Sequence, residues 1–238
     1  MTVASDVGRT PEMVVVKGEA ERLSPRAIER RARILDTASR LLGEYGYDGV
    51  SMRTIAAQSG VVEKTLYNIY GTKDRLIAAA ARQRSAGVFE AAVQSAPEGG
   101  WPMLRAFIRL AVGVAFDNPR TSKAMAIVLL EHGDTVGMDQ VYHCWVDGAL
   151  DQMEASGMIE PHCPRQSVIR LVRLSIMTAA VLWSKGELTD EELEPYGVTR
   201  VVETLLPSVR VERQGEMMAE LRTARAALAR RFEIAGTA

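Results

Sequence analysis

Apolar side chains recur every three or four residues along most of this 238-residue chain, the period of a helix with one buried face. The first clear stripe is Ile28, Ala32, Leu35, Ala38, Leu42 and Tyr45, with arginines between its members. Ser24-Pro25 before it reads as an N-cap followed by proline at the first helical position, and Gly46 ends it, so the pattern predicts a helix over 25–45. Two far shorter stretches follow at 51–59 and 63–70, and a longer helix starts at Thr72. Beyond it the period is broken at SAPEGG (95–100), DNP (117–119), HGD (132–134), EPHCP (160–164), KGELT (185–189) and Pro207. No run alternates as a strand does; VVV at 14–16 is too short. The expected fold class is all-α, a bundle of helices about 12 to 25 residues long behind the short pair. Residues 1–23 lack periodicity and read as a mobile N-terminal tail. Over 212–232, Met218, Leu221, Arg225, Leu228 and Phe232 stand at heptad-like spacing and predict one more helix within 209–238, packed on the body or on a partner.

The short pair is the informative feature. Eight or nine residues bury little, yet here two such helices meet at Ser59-Gly60-Val61. Ser51 is placed to cap the first, Gly60 suits the left-handed residue of a tight exit, and Ile55, Ala56, Leu66 and Ile69 point inward. Arg53, Lys64, Tyr67, Asn68 and Lys73 point outward. Two helices joined by so short a glycine-containing turn match helix-turn-helix geometry, in which the second helix enters a major groove. A hairpin with merely solvated charges has the same spacing. Charge distribution favours the groove: residues 20–84 hold twelve Lys and Arg against seven Asp and Glu, a net of +5, whereas the whole chain carries −1, leaving −6 elsewhere.

The run GVVEKTLYNIYGTKDRLIAA resembles the TetR family of transcriptional regulators, through Gly60, Val61, Thr65, Leu66, Tyr67, Tyr70 (usually Phe), Lys73 and Leu76. Upstream, Ile34, Ala38, Leu42, Gly46, Tyr47, Ser51, Ile55 and Ala56 also fit, so the resemblance covers about 50 residues. It implies a three-helix DNA-binding domain over 24–72, a helical ligand-binding and dimerisation domain over 73–208, and a homodimeric repressor released from a palindromic duplex by a small hydrophobic effector. The DNA-facing set it implies is Ser51, Arg53, Thr54, Lys64, Thr65, Tyr67, Asn68 and Lys73. Val62 replaces a frequent capping serine, and Ile69 a frequent DNA-contacting His or Tyr.

For the ligand, all three tryptophans fall between 101 and 183, in a segment also rich in methionine. The expected lining is Trp101, Leu104, Phe107, Ile108, Met125, Leu129, Tyr142, Trp145, Met177 and Trp183, with Tyr142, His143 and His132 as polar anchors. The same stripes also suit an ordinary core, which would make this an effector-independent DNA-binding or interaction protein with a filled body. Dimerisation is expected through 164–185 (Val168, Leu171, Val172, Ser175, Ile176, Ala179, Leu182) and 192–206 (Val198, Val201, Val202, Leu205, Leu206), where stripes look too wide for one-sided burial.

Other chemistry finds little support. His143-Cys144 and His162-Cys163 match no zinc spacing, and two cysteines make no disulfide framework, so no metal is expected. No nucleophile elbow, phosphate loop, dinucleotide fingerprint or zincin motif occurs, so neither enzyme activity nor a cofactor is expected. The opening MTVASDVGRTPEM has no basic-then-apolar pattern and no stretch approaches 18 uninterrupted apolar residues, which points to a cytoplasmic protein without a membrane partner.

Overall fold

The structure, a computed structural model, describes residues 24–235, the side chains of Val136 and residues 230–235 excepted. The expected tail at 1–23 and the side chain of Phe232 lie outside the described residues. Ten α-helices follow in order: α1 Pro25–Tyr45, α2 Met52–Ser59, α3 Glu63–Tyr70, α4 Lys73–Ser95, α5 Gly100–Asp117, α6 Pro119–His132, α7 Met138–Ala155, α8 Arg165–Ser184, α9 Asp190–Leu205 and α10 Gly215–Ala235. The described residues contain no strand; a single antiparallel bridge, Ile159 to Val209, ties the α7–α8 connector to the α9–α10 connector.

Local chemistry explains the boundaries. Ser24 caps α1 and Pro25 opens it. The hydroxyl of Ser51 accepts from the Thr54 amide at 3.1 Å, and that of Thr72 from the Arg75 amide at 3.2 Å. Gly60 sits in the left-handed region at φ 68°, the conformation that lets α2 turn directly into α3. Val62, before α3, supplies no side-chain cap. At α9, the Thr189 amide donates to Glu192 at 2.8 Å, closing a capping box.

Two cores result. Ile34, Ala38 and Leu41 of α1, Val50, Met52, Ile55 and Ala56, Leu66 of α3 and Leu76 of α4 form the smaller. The larger takes in α4 to α10. α4 is shared: Leu76 is buried in one core and its neighbour Ile77 in the other. The stripe expected on α1 is buried only in its middle; Ile28 and Tyr45, at its two ends, are exposed because the helix overhangs the small core.

The late helices correct the expected dimer stripes. Val168, Val172, Ser175 and Ala179, and on α9 Val198, Val201, Val202 and Leu205, are buried within this one chain. α9 is covered by α8 on one side and α10 on the other: Met217, Leu221 and Ala224 are buried, and Arg105 bridges Glu194 of α9 at 2.8 Å and Glu220 of α10 at 2.9 Å. The tail helix therefore packs on its own body, on a stripe shifted from the expected one; Arg225 is exposed and pairs with Glu203 at 2.9 Å. The large apolar side chains exposed on the body are Leu171 and Leu174 on α8 (51% and 37%), Ile127 and Leu130 on α6 (44% and 56%), Phe116 at the end of α5 and Val211 after α9. α8 is long and apolar enough to cross a membrane by length and composition alone, but its inner face belongs to the core and Arg173 in mid-helix pairs with Asp139 at 2.7 Å.

Candidate nucleic-acid interface and interior cavity

α1 braces the short pair from behind: the Arg33 guanidinium donates to the last α2 carbonyl, Ser59, at 3.0 Å. On the open side Ser51, Arg53, Lys64, Tyr67 and Asn68 are exposed, and Thr54 and Thr65 are half-buried. Arg53 and Lys64 have no partner among the described residues. A basic, polar surface with two capped helix starts beside it, at Ser51 and Thr72, suits phosphate oxygens and base edges. Ile69 packs on the small core rather than facing out.

Lys73 is placed differently from the rest of its set. Its ammonium donates to the carbonyls of Tyr47 (3.0 Å) and Val50 (3.2 Å) and lies 3.7 Å from the centre of the Tyr47 ring. It clamps the α1–α2 loop instead of presenting its charge. Beside it, Tyr47 donates to the Asp74 carboxylate. Burial first, then that bond, pushes the Tyr47 phenol up to about 12. Asp74 also meets His132, at the end of α6, at 3.4 Å. So the loop before α2, the first turn of α4 and the end of α6 are joined in one polar chain.

Inside the body an apolar cavity of about 140 Å³ lies among α4, α5, α6, α7 and α8. Phe107, Met125, Leu129, Tyr142 and Met177 of the expected set line it, together with Ala81, Arg84, Ser85 and Val88 of α4. A second cavity of about 90 Å³ is lined by Ile108 and Trp183 and shares Ala111, Ala115, Ser122, Ile176 and Ala180 with the first. Trp101, Leu104 and Trp145 line neither. Trp101 is core and donates to Glu220 at 3.2 Å, holding α10. Trp145 stacks on Phe89, whose other face stacks on Phe107 at 3.9 Å. Of the expected anchors only Tyr142 reaches the cavity, its phenol pushed well above its ordinary range by burial; His143 is exposed and His132 is held by Asp74.

The sequence reading missed the α4 wall. Its signal was Ala81, Ser85 and Val88 at i, i+4 and i+7, small side chains that leave room where larger ones would fill it. Arg84 among them was the other clue. No group of three metal-ligating side chains occurs among the described residues, and both cysteines are free.

The pattern described as "Bacterial regulatory proteins, tetR family" matches residues 34–80, which span α1's buried half, the short pair and the first turns of α4. The HTH-type transcriptional repressor KstR of Mycobacterium tuberculosis is 28% identical over 178 residues, covering 71% of this chain and 78% of that one. Among solved structures, a TetR transcriptional regulator from Rhodococcus sp. RHA1 shares the fold with a TM-score of 0.62 at 18% identity, over 76% of this chain and 98% of that one. Thermus thermophilus FadR, a TetR-family repressor in complex with lauroyl-CoA, does so with a TM-score of 0.61 at 18% identity, over 74% and 93%. With its helix-turn-helix pair and basic open face, the chain carries over residues 34–80 the DNA-binding pattern of the TetR family of transcriptional regulators, on a helical body whose fold TetR regulators share.

Proposed function

We propose that this chain is a repressor that holds a palindromic duplex as a homodimer and lets it go when a small hydrophobic effector occupies the interior cavity. One observation carries the reading: α4 bears both the clamp on the DNA-binding unit, at Lys73 and Asp74, and a wall of the cavity, at Ala81, Arg84, Ser85 and Val88. Residues 24–72 act as the DNA-binding unit, with Ser51, Arg53, Thr54, Lys64, Thr65, Tyr67 and Asn68 on the duplex and Lys73 holding the loop behind them. Residues 73–208 form the effector body, buttressed by the added helix.

The cavity supports an effector over a filled body. Ligand sites commonly measure about 300–1,000 Å³, so an occupant of ordinary size must part α4 from α5 and α8 to enter. The lauroyl-CoA described with the Thermus FadR is one compound with a long apolar portion, and the apolar lining here suits such a portion. For the dimer, the exposed Leu171 and Leu174 with Ile127 and Leu130 of α6 supply the apolar face. α6 and α8 run antiparallel, with Lys123 over the Trp183 ring and Asp134 beside Arg173, so the helices that carry these side chains are neighbours.

The test begins with an operator selected from random duplex DNA by the purified protein. Fluorescence anisotropy of that operator, titrated with apolar compounds while tryptophan emission is followed, should show compounds that perturb the tryptophans and release DNA together. Operator binding unmoved by every compound that enters the cavity would favour the effector-independent reading.

A further inference from the structure

Arg84 is the one charged side chain that lines the apolar cavity. It also lines a separate polar cleft of about 380 Å³ between α1, α4 and the start of α6, with Asp36, Ser39, Arg40, Gln83 and Asn118. Arg84 thus borders both an oily space and a wet one. One N–H is used on the Val114 carbonyl. Asp117 attracts it from beyond ion-pair distance, and burial, the larger effect, lowers its pKa. Of the other charges of the cleft, Arg40 pairs with Glu44 at 2.7 Å and bonds Gln58, while Asp36 accepts from the neutral Gln83 amide at 3.1 Å and keeps its negative charge on the α1 side. A half-buried guanidinium with N–H groups beyond the one on Val114 can take an anion, and donating to a charged acceptor is where its fork geometry is strongest.

We propose that the effector is an anionic amphiphile, its apolar chain in the α4–α8 cavity and its acidic head, a carboxylate or a phosphate, on Arg84 in the cleft beside α1. This rests on the effector reading above and adds the head group to it. The head would lie against Ser39 and Arg40 of α1, on the DNA-binding unit itself. There α1 is already held to the body, by Thr121 donating to the Ser39 carbonyl at 3.3 Å. An anion in the cleft would therefore press on the α1–α6 junction while the chain parts α4 from α8.

Three probes of equal chain length, decanoate, decyl phosphate and decan-1-ol, separate the terms by isothermal titration and operator anisotropy on the full chain. At least one anion should bind ten-fold or more tightly than the alcohol, and the anion that does so identifies the head. In Arg84→Met that preference should fall to about two-fold with the affinity for decan-1-ol unchanged, while Arg84→Lys should keep part of it. Equal binding of alcohol and anions to the native chain, or a preference that survives in Arg84→Met, overturns the anion site and leaves the apolar-effector reading standing. Failure of all three to bind, with the cavity-lining tryptophan emission unmoved, overturns both. Thermal midpoints of both variants near the native value establish that the comparison is between folded proteins.

Discussion

Replacing Lys73 by methionine separates a clamp from a phosphate contact. The ammonium donates to two loop carbonyls at 3.0 and 3.2 Å and lies over the Tyr47 ring. Hydrogen bonds involving a charged group contribute about 1.5–3 kcal/mol each, and a surface cation–π contact about 0.5–1 kcal/mol. Lys73 is half-buried, so water replaces part of what is lost, and roughly 1.5–2 kcal/mol for the whole clamp is reasonable. If the loop must be ordered to set Ser51 and Arg53, that free energy is drawn from DNA binding, about ten-fold in affinity at 1.4 kcal/mol per decade. The charge itself faces inward, so the slope of log affinity against log salt should not change. Removing a real phosphate contact lowers that slope by about 0.9 per contact, and Lys64→Met should do so. The assay is anisotropy of a labelled duplex from low to moderate salt, with hydrogen exchange of the amides over 46–50 as the local readout. A slope that falls by about one with loop protection unchanged would refute the clamp and restore Lys73 to the DNA face.

Arg53→Ala should weaken operator binding and relax discrimination at one base position, by about 1–3 kcal/mol if it reads a guanine edge, measured on single-base operator variants. Leu171→Asp with Leu174→Asp should give monomers in sedimentation velocity, whereas Val202→Asp, at a site with 0% exposure, should unfold the chain instead. Gly43→Ala places a methyl 2.3 Å from Asn118 Nδ2 and 2.7 Å from Thr121 Oγ1, breaking the cap Asn118 provides to α6; a loss of about 1–2 kcal/mol should appear in urea unfolding. Tyr47 and Tyr70 are both raised to about 12, so the fold favours the neutral phenols; the stability they contribute is complete below pH ~10, where an unfolded tyrosine ionises, and is lost between ~10 and ~12. Tyr47→Phe should remove its part of that alkaline loss, read as urea midpoints at pH ~9 and ~11.

Much of the architecture was legible because it is local. Ser51 and Gly60 carry their roles in their own chemistry, and the helix breaks follow glycine, proline and short polar runs. The errors share one cause, since the width of an apolar stripe records how much of a helix is covered and not by what. α9 reads as an interface helix and is enclosed instead by α8 and by α10 of the same chain. Lys73, at a helix start beside a basic face, reads as outward; its direction is set by two carbonyls more than 20 residues earlier, a tertiary fact that no spacing contains. The cavity was half legible for a similar reason. Large side chains such as Phe107 and Met177 announce a core, but the space between them depends on small residues on α4 opposite.

The shared helix also limits how an effector can act. Lys73 and Arg84 are eleven residues apart on α4, about 16 Å at 1.5 Å per residue. Between them Leu76 anchors the helix in the small core and Ile77 in the large one, both fully buried. A helix pinned at such a point behaves as a lever, because close-packed interiors deform by shifting rather than by stretching. Displacing the Arg84 end to admit a chain must move the Lys73–Asp74 end, and with it Tyr47, the α1–α2 loop and the start of α2. His132 opposes that motion through Asp74, so α6, which also lines the cavity through Met125 and Leu129, holds the same first turn. The effector need then prefer the shifted arrangement by only about 3 kcal/mol to lower operator affinity by roughly two decades. His132→Ala should therefore weaken operator binding in the absence of any ligand while leaving ligand affinity equal or higher. An unchanged operator affinity in His132→Ala would place the coupling elsewhere, in the α1–α6 contact at Ser39 and Thr121.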